Sequence, residues 1–506
     1  MKKEFHIILL LLSLSIFVFA DKEYDKYKRF LEIAPDGYEE STYKSWNADH
    51  PIDNSVIPKI KETEKRRVND GEKNIAIIVA DNIADSIIPD IELYTFDLTN
   101  DGYNVFSYSV SQVHPESLRN FLFELYTILG IEGAVFVGEV TPAWFQLESD
   151  FGDGGYAEWP MDYFYMELNG VWIDSVDFTS TPVSGSDGIY EDHDGDLMPE
   201  IYIGRIMPTG FWNYIPIVKN YIAKNDEYRT DFINIDRKAL VYVDDDWIPW
   251  ASTWAGDVSL LYPDYLLISN AETTRVDNYR MNLDTLHEWV SLFAHSWPGG
   301  HGFYYNNKAD MEYMSANDYL SLVPPTLFYN FFCCSFARYT DNNYGTGLAV
   351  FADTFSLMGI GSTKTGSMLD FNYFYAPLAG GKNIGEAFKD WFSYEAEGGF
   401  SIDEISWFGG MTIIGDPFIY PTREYLSGLQ EESSIGYVRE KKSYDISSVK
   451  QLFFKADEIN NLLNKGGYGL YNVNGSMISE AKSKGIYYIT GESEGRKIAK
   501  KIILLY

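Results

Sequence analysis

The chain has two cysteines, and they stand side by side as Cys333 and Cys334 in FFCCSFARY. Neighbouring Cα atoms lie about 3.8 Å apart, whereas a disulfide wants roughly 5.5 Å, so the pair is not a staple. No further Cys or His surrounds them at the spacing a structural metal site needs. Two readings remain: small buried hydrophobes, or a reactive thiol. A reactive thiol acts as its thiolate and needs a partner that takes the proton. Cys334 closes the apolar run TLFYNFFCCS, and His295 closes another, WVSLFAHS. If those runs are neighbouring strands, the two side chains form a Cys/His dyad built from two strand ends. A third run, KALVYVDDDW, ends in Asp244, Asp245 and Asp246.

The elements that must position these residues are legible as short apolar runs closed by polar loops. NIAIIVADN, YNVFSYSV and GAVFVGEV read as buried strands, as do DYLLISNA and LMGIGSTKTGS further on. HPESLRNFLFELYTILG opens with Pro115 and Glu116 and carries apolar residues at helical spacing. Strands alternating with helices predict an α/β fold, a parallel sheet with helices on both faces. In such sheets, loops at the carboxyl ends of strands carry ligands and chemistry. Three of those ends deliver the aspartates, His295 and Cys334.

Composition narrows the partners. A formal net charge of -34 repels phosphate backbones and anionic lipid, so nucleic acid is not an expected partner. The start, MKKEFHIILLLLSLSIFVFADKEY, has the basic, apolar and small-residue segments of a secretory signal peptide, expected over residues 1–20. The chain is expected to be secreted or held at a cell surface. Residues 21–72 read as an N-terminal extension or pro-segment. Within it, KIKETEKRRVNDGEK reads as a solvated charged helix, or as a processing site at Lys65-Arg66-Arg67. In DGIYEDHDGDLMPE, Asp192, Asp194, Asp196 and Glu200 offer hard oxygens at a spacing that suits structural calcium, though not in an EF-hand pattern. His193 between them is expected to be exposed and uninvolved in chemistry.

The order strand-His, then strand-Cys, resembles the caspase-like cysteine peptidases, a group that includes caspases, legumains and gingipains. Further blocks are similar to the gingipain family in the same order: VFVGEVTPAW, PEIYIGRI, the Ser-Thr strand end of GIGSTKTGSM and ISWFGGMTIIGDPFIYP. The resemblance covers roughly residues 73 to 421. It implies two stacked α/β subdomains, residues 73–235 and 236–424, the second caspase-like and catalytic. It implies Cys334 as nucleophile forming a thioester, His295 as proton donor to the leaving amine, and Asp246 as the acid that orients the imidazole. Cys333 then fills space. The family's His-Gly pattern also fits His301-Gly302, so His301 is the alternative imidazole, and Asp244 and Asp245 are the alternative acids. Ser362 and Thr363 fall where the family has its substrate pocket. The N–H of Cys334 and the Gly299-Gly300 pair are candidates for meeting the oxyanion.

After a weakly patterned linker, residues 434–506 read as a small β-sandwich. YGLYNVNGSMISEAKSKGIYYITGESEGRKIAKKIILLY resembles the C-terminal sorting domains of proteins exported by the type IX system, which implies export machinery as a partner. The expected function is a secreted, gingipain-like cysteine endopeptidase acting on protein or peptide substrates. It would be a monomer and would require no cofactor for the chemistry. The alternatives are a binding protein on an inactive peptidase scaffold, and a transpeptidase using the same residues.

Overall fold

The computed structural model describes residues 33–52, 60–66, 73–152, 155–177, 183–230, 233, 235–352 and 355–422, with five further strands between 452 and 504. The expected leader (residues 1–20) and the linker after Thr422 lie outside the described residues. Among the described residues no helix is long and apolar enough to cross a membrane. The chain divides into two units, residues 1–226 with 235–433, and residues 227–234 with 434–506.

The first unit is mixed α/β, built on one 11-stranded sheet flanked by helices. In chain order its strands are β1 (Ile60–Arg66), β2 (Lys73–Ala80), β3 (Tyr103–Val110), β4 (Ile131–Val137), β5 (Tyr202–Ile206) and β6 (Ala239–Val243). They continue as β7 (Tyr265–Ile268), β8 (Trp289–Phe293), β9 (Phe328–Phe332), β10 (Met358–Ser362) and β11 (Met411–Gly415). Their order across the sheet is β1-β3-β2-β4-β5-β11-β10-β9-β8-β6-β7. All neighbours run parallel except β1 against β3 and β10 against β11. Two groups of strands, β1 to β5 and β6 to β11, thus meet edge to edge through Arg205 of β5 and Ile414 of β11.

Most of the apolar runs became strands because both faces of the sheet are covered, which removes any need for polar alternation; the edge strand β7, expected to be buried, instead exposes Tyr265 and Leu266. In β8 and β9 every residue is buried. Beneath one face lie the helices Val276–Leu283, Asp318–Leu322 and Gly345–Phe351, contributing Tyr279, Tyr319 and Leu348 to a core with Leu292, Phe331 and Cys333. Against the other face, Trp254 of helix Ala251–Val258 stacks on Phe293 at 4.5 Å and lies against Phe332. The helix expected from HPESLRNFLFELYTILG runs Pro115–Leu129, with Pro115 in its first turn and left-handed Gly130 ending it.

One expectation is overturned. Most of KIKETEK is not a helix but β1, an antiparallel edge strand on β3. A charged strand at a sheet edge leaves its outer ladder in water and resists pairing with another chain, so its polarity suits the position. Lys65 and Arg66 belong to that strand, and Arg67 lies outside the described residues. In the second unit, the described strands form one 5-stranded sheet, antiparallel but for one parallel pair.

Candidate active site

The register of β8 against β9 builds the site. Phe293 pairs with Phe332 across the two parallel strands, so His295 and Cys334 each stand two residues beyond the same rung. Side chains alternate along a strand. Leu292, Ala294, Phe331 and Cys333 therefore enter one core, while Phe293 and Phe332 pack together on the opposite face and Cys334 lies in the turn that follows, outside that core. Trp247 is tilted over the His295 ring at 4.5 Å and edge-on to Phe332 at 5.4 Å. Cys334 retains 8% exposure against 1% for Cys333. The next residue, Ser335, takes a left-handed φ of 54° and donates its N–H to Lys364 O at 2.9 Å, so the chain turns back at once after Cys334.

The three aspartates divide their tasks by turn geometry. Asp244 is wholly buried, caps the 3-10 turn Asp245–Trp250 by accepting from Asp246 N, and also accepts from Tyr304 N at 2.7 Å. Burial holds its carboxyl well above the usual range. Asp245 accepts from Thr274 Oγ1 and Lys308 N, tying down neighbouring loops. Asp246 is the one that faces the imidazole, its Oδ2 lying 2.7 Å from His295 Nε2 and its Oδ1 2.6 Å from Lys308 Nζ. Burial alone would raise the Asp246 carboxyl, but the hydrogen bonds from His295 and Lys308 outweigh it and hold it below the usual range.

His301 sits elsewhere. It is fully buried, 2.7 Å from Ser296 Oγ and 3.0 Å from Tyr319 OH, with its ring against Phe336 at 4.0 Å. Burial depresses its pKa to about 3, so it stays neutral as a core hydrogen-bonding group. Cys333 Sγ lies 3.8 Å from His301 Nδ1 within that core, and burial pushes its thiol far up. The structure thus brings Asp246 and His295 into contact, leaves Cys334 two residues past the rung that His295 also follows, and holds His301 with Cys333 in the core of the other face.

Other sequence expectations fare differently. Ser362 and Thr363 are both wholly buried, the latter donating to Pro160 O at 2.6 Å, so neither opens onto a substrate pocket here. Gly300 belongs to a hairpin, where a Cβ would lie 2.2 Å from Met314 O; its smallness serves packing. The four carboxylates proposed for calcium do not converge. Asp192 and Asp194 are exposed on a short extended strand, and Glu200 accepts from Leu168 N and Asn169 Nδ2. Among the described residues no group of three or more His, Cys, Asp and Glu side chains is placed to hold a metal ion. His193 is not exposed either; its side chain keeps 6% exposure and lies 2.8 Å from Glu167 Oε2.

Sequence reasoning missed two buried cations, Lys364, whose carbonyl accepts from Ser335 N, and Arg338 in the loop after Cys334. Lys364 sends Nζ to Asp150 Oδ1 at 2.6 Å and Ser406 O at 2.7 Å, over the rings of Phe151 and Trp159. Arg338 donates to Thr363 O and Glu158 O, and packs over Trp144. Their signal was a lysine within the small-residue run GIGSTKTGSM and an arginine four residues after Cys334.

No family model matches the chain, and no curated protein does. Among solved structures, the chain is similar to one titled "Structure of Protease", at 13% identity over 86% of this chain and 98% of that one, with a TM-score of 0.47. It is also similar to the complex of the Porphyromonas gingivalis RgpB pro- and mature domains, at 11% identity over 85% of this chain and 100% of that one, with a TM-score of 0.46.

Proposed function

We propose that the chain is a cysteine endopeptidase whose nucleophile is Cys334, with His295 as proton carrier and Asp246 as the group that orients it. The observations that support this reading are the rung Phe293–Phe332, which His295 and Cys334 each follow by two residues, and Asp246, 2.7 Å from His295 Nε2. Asp246 fixes the ring by accepting at Nε2, so Nδ1 is the nitrogen that handles the reacting proton. His295 takes the Cys334 proton, and the thiolate adds to a peptide carbonyl. As the C–N bond breaks, the imidazolium returns that proton to the departing amine and leaves a thioester. Water, deprotonated by the neutral imidazole, then hydrolyses the thioester and restores the thiol. Trp247 over the ring keeps bulk water from one side of the pair.

The test is hydrolysis of a fluorogenic peptide library under reducing conditions by the whole chain and by Cys334→Ala, Cys333→Ala, His295→Ala and His301→Gln. Loss in the Cys334 and His295 variants with activity kept in the other two supports the assignment. Equal activity in wild type and Cys334→Ala removes it. Product analysis with an added amine acceptor separates hydrolysis from transpeptidation.

A further inference from the structure

The loop that follows Cys334 grips the backbone of a stretch of this same chain that lies just before the helix Tyr43–Asp49. Asp341 Oδ1 accepts from Ser41 N at 2.8 Å, and Arg338 Nη2 donates to Ser41 O at 2.7 Å. One residue is thus held by both of its main-chain polar groups. The residue before it, Glu40, places a carboxylate oxygen 3.2 Å from Arg338 Nη1. Tyr38 OH donates to the second Asp341 oxygen at 2.6 Å, and Tyr43 N donates to Glu158 Oε1.

These contacts stand against the proposed nucleophile in chain and in charge. Arg338 N donates to Ser335 O and Asp341 N to Arg338 O, so the gripping side chains stand on two successive tight turns that begin at the residue after Cys334. Lys364 feels both the Glu40 carboxylate and Cys334. Arg338 and Asp341 keep only 2% and 7% exposure. Two ions so nearly dry need partners; they face each other at 3.6 Å, Arg338 also donates to Thr363 O and Glu158 O, and the main chain of residue 41 adds a further partner to each. Residue 41 itself is read by its backbone apart from a contact between Ser41 Oγ and Thr340, while Glu40 and Tyr38 add side-chain contacts to Arg338 and Asp341.

We propose that Arg338 and Asp341 form a peptide main-chain binding subsite beside Cys334, taking one residue of an extended polypeptide by its N–H and C=O, with preference for an acidic residue just before it. In the present state residues 38–43 fill it in cis. That the polypeptide taken in trans is a substrate rests on the peptidase reading; that the subsite binds a peptide does not.

The test uses the full chain carrying Cys334→Ala, so that binding is read without cleavage. Glu40→Ala with Ser41→Pro removes the carboxylate and the gripped N–H from the segment while leaving the subsite untouched. The probe is a fluorescein-labelled peptide with the sequence of residues 36–48, followed by anisotropy. Freed of competition in cis, the segment variant binds the probe at least about tenfold more tightly than the parent. A probe N-methylated at the Ser41 position binds roughly tenfold more weakly or worse, as does the native probe on a chain also carrying Asp341→Asn. Hydrogen exchange over residues 38–43 rises in the segment variant. Equal affinity of native and methylated probes overturns the proposal. So does release of the segment with no probe binding, or unchanged exchange over residues 38–43. Probe binding without any peptide hydrolysis by the wild-type chain leaves the subsite standing and removes the peptidase reading instead.

Discussion

Asp246→Asn keeps the size of the side chain but exchanges one acceptor oxygen for a donor. In the wild-type chain both carboxylate oxygens accept, one facing His295 at 2.7 Å and the other Lys308 at 2.6 Å. An amide satisfies one of these partners and turns its NH2 on the other. The Lys308 side chain is 52% exposed and that of His295 4%, so the lysine is the one that swings into water and the amide oxygen stays on the imidazole. What disappears is the charge that steadies the imidazolium. A hydrogen bond to a charged group is worth about 1.5 to 3 kcal/mol, which at about 1.4 kcal/mol per decade is a loss of roughly 10- to 150-fold in kcat/KM. Because the amide keeps its oxygen on the ring, the lower half of that range is expected, with the loss in kcat rather than KM. The assay is steady-state cleavage of one quenched fluorogenic peptide from pH 3 to 9. The sign of the pH effect follows from the lowered Asp246 carboxyl: its charge is present above its folded pKa and is lost as pH falls through that value. In the wild-type chain the Asp246 limb therefore lies below about pH 3.9, the ordinary aspartate value, and the Asn variant lacks it. Activity of Asp246→Asn within twofold of wild type, or a loss confined to KM, would refute the orienting role.

Lys308→Ala should lower kcat/KM by less than about threefold, since an ion pair with a half-exposed lysine contributes little, and its effect should vanish in the Asp246→Asn background. Pulsed alkylation with iodoacetamide, read by peptide mass, should label Cys334 in the folded chain and Cys333 only after denaturant, because burial keeps the Cys333 thiol protonated. His301 is held at about 3 against an ordinary value near 6.5, so the unfolded chain takes up a proton there that the folded chain refuses. Stability from that group is complete above about pH 6.5 and declines as pH falls toward 3; His301→Gln should flatten this part of a Tm-against-pH curve and spare peptide cleavage. Gly345→Ala should destabilise by about 1 to 3 kcal/mol in denaturant melts, as its Cβ would fall 1.9 Å from a Phe336 ring carbon that packs against His301.

The strands that carry the site were legible because they are buried on both faces and closed by polar loops; Tyr103–Val110 and the helix after His114 stand where the pattern places them. The charged run at residues 60–66 was not, because an edge strand and a solvated helix have the same polarity, and only the β3 ladder decides between them. The Asp triplet was legible as a strand end but not as three separate tasks, since these depend on a 3-10 turn that follows the strand. The placing of the carboxylates expected for calcium was not legible for a related reason: alternating aspartates on an extended strand share a face but spread along it, while a hard cation needs its oxygens to converge. Lys364 and Arg338 were invisible because their partners, Asp150, Glu158 and Ser41, are each more than one hundred residues away in sequence.

The adjacency of the two thiols finds its physical reason in strand period. A side-chain period of two sends consecutive residues to opposite faces, so tandem cysteines at a strand end cannot share an environment. Cys333 is drawn into the core of Phe331, Phe336 and Tyr319, where its sulfur meets a neutral imidazole and its proton is held. Cys334 lies outside that core, in the turn after Phe332, where it acts electrostatically on the buried Lys364 ammonium. A slip of one residue in the β8–β9 register would shift Cys334 off the His295 rung. On the proposed reading, the division of roles between the two thiols therefore rests on the strand pairing that ends at Phe293 with Phe332, more than on any difference between the two cysteines themselves.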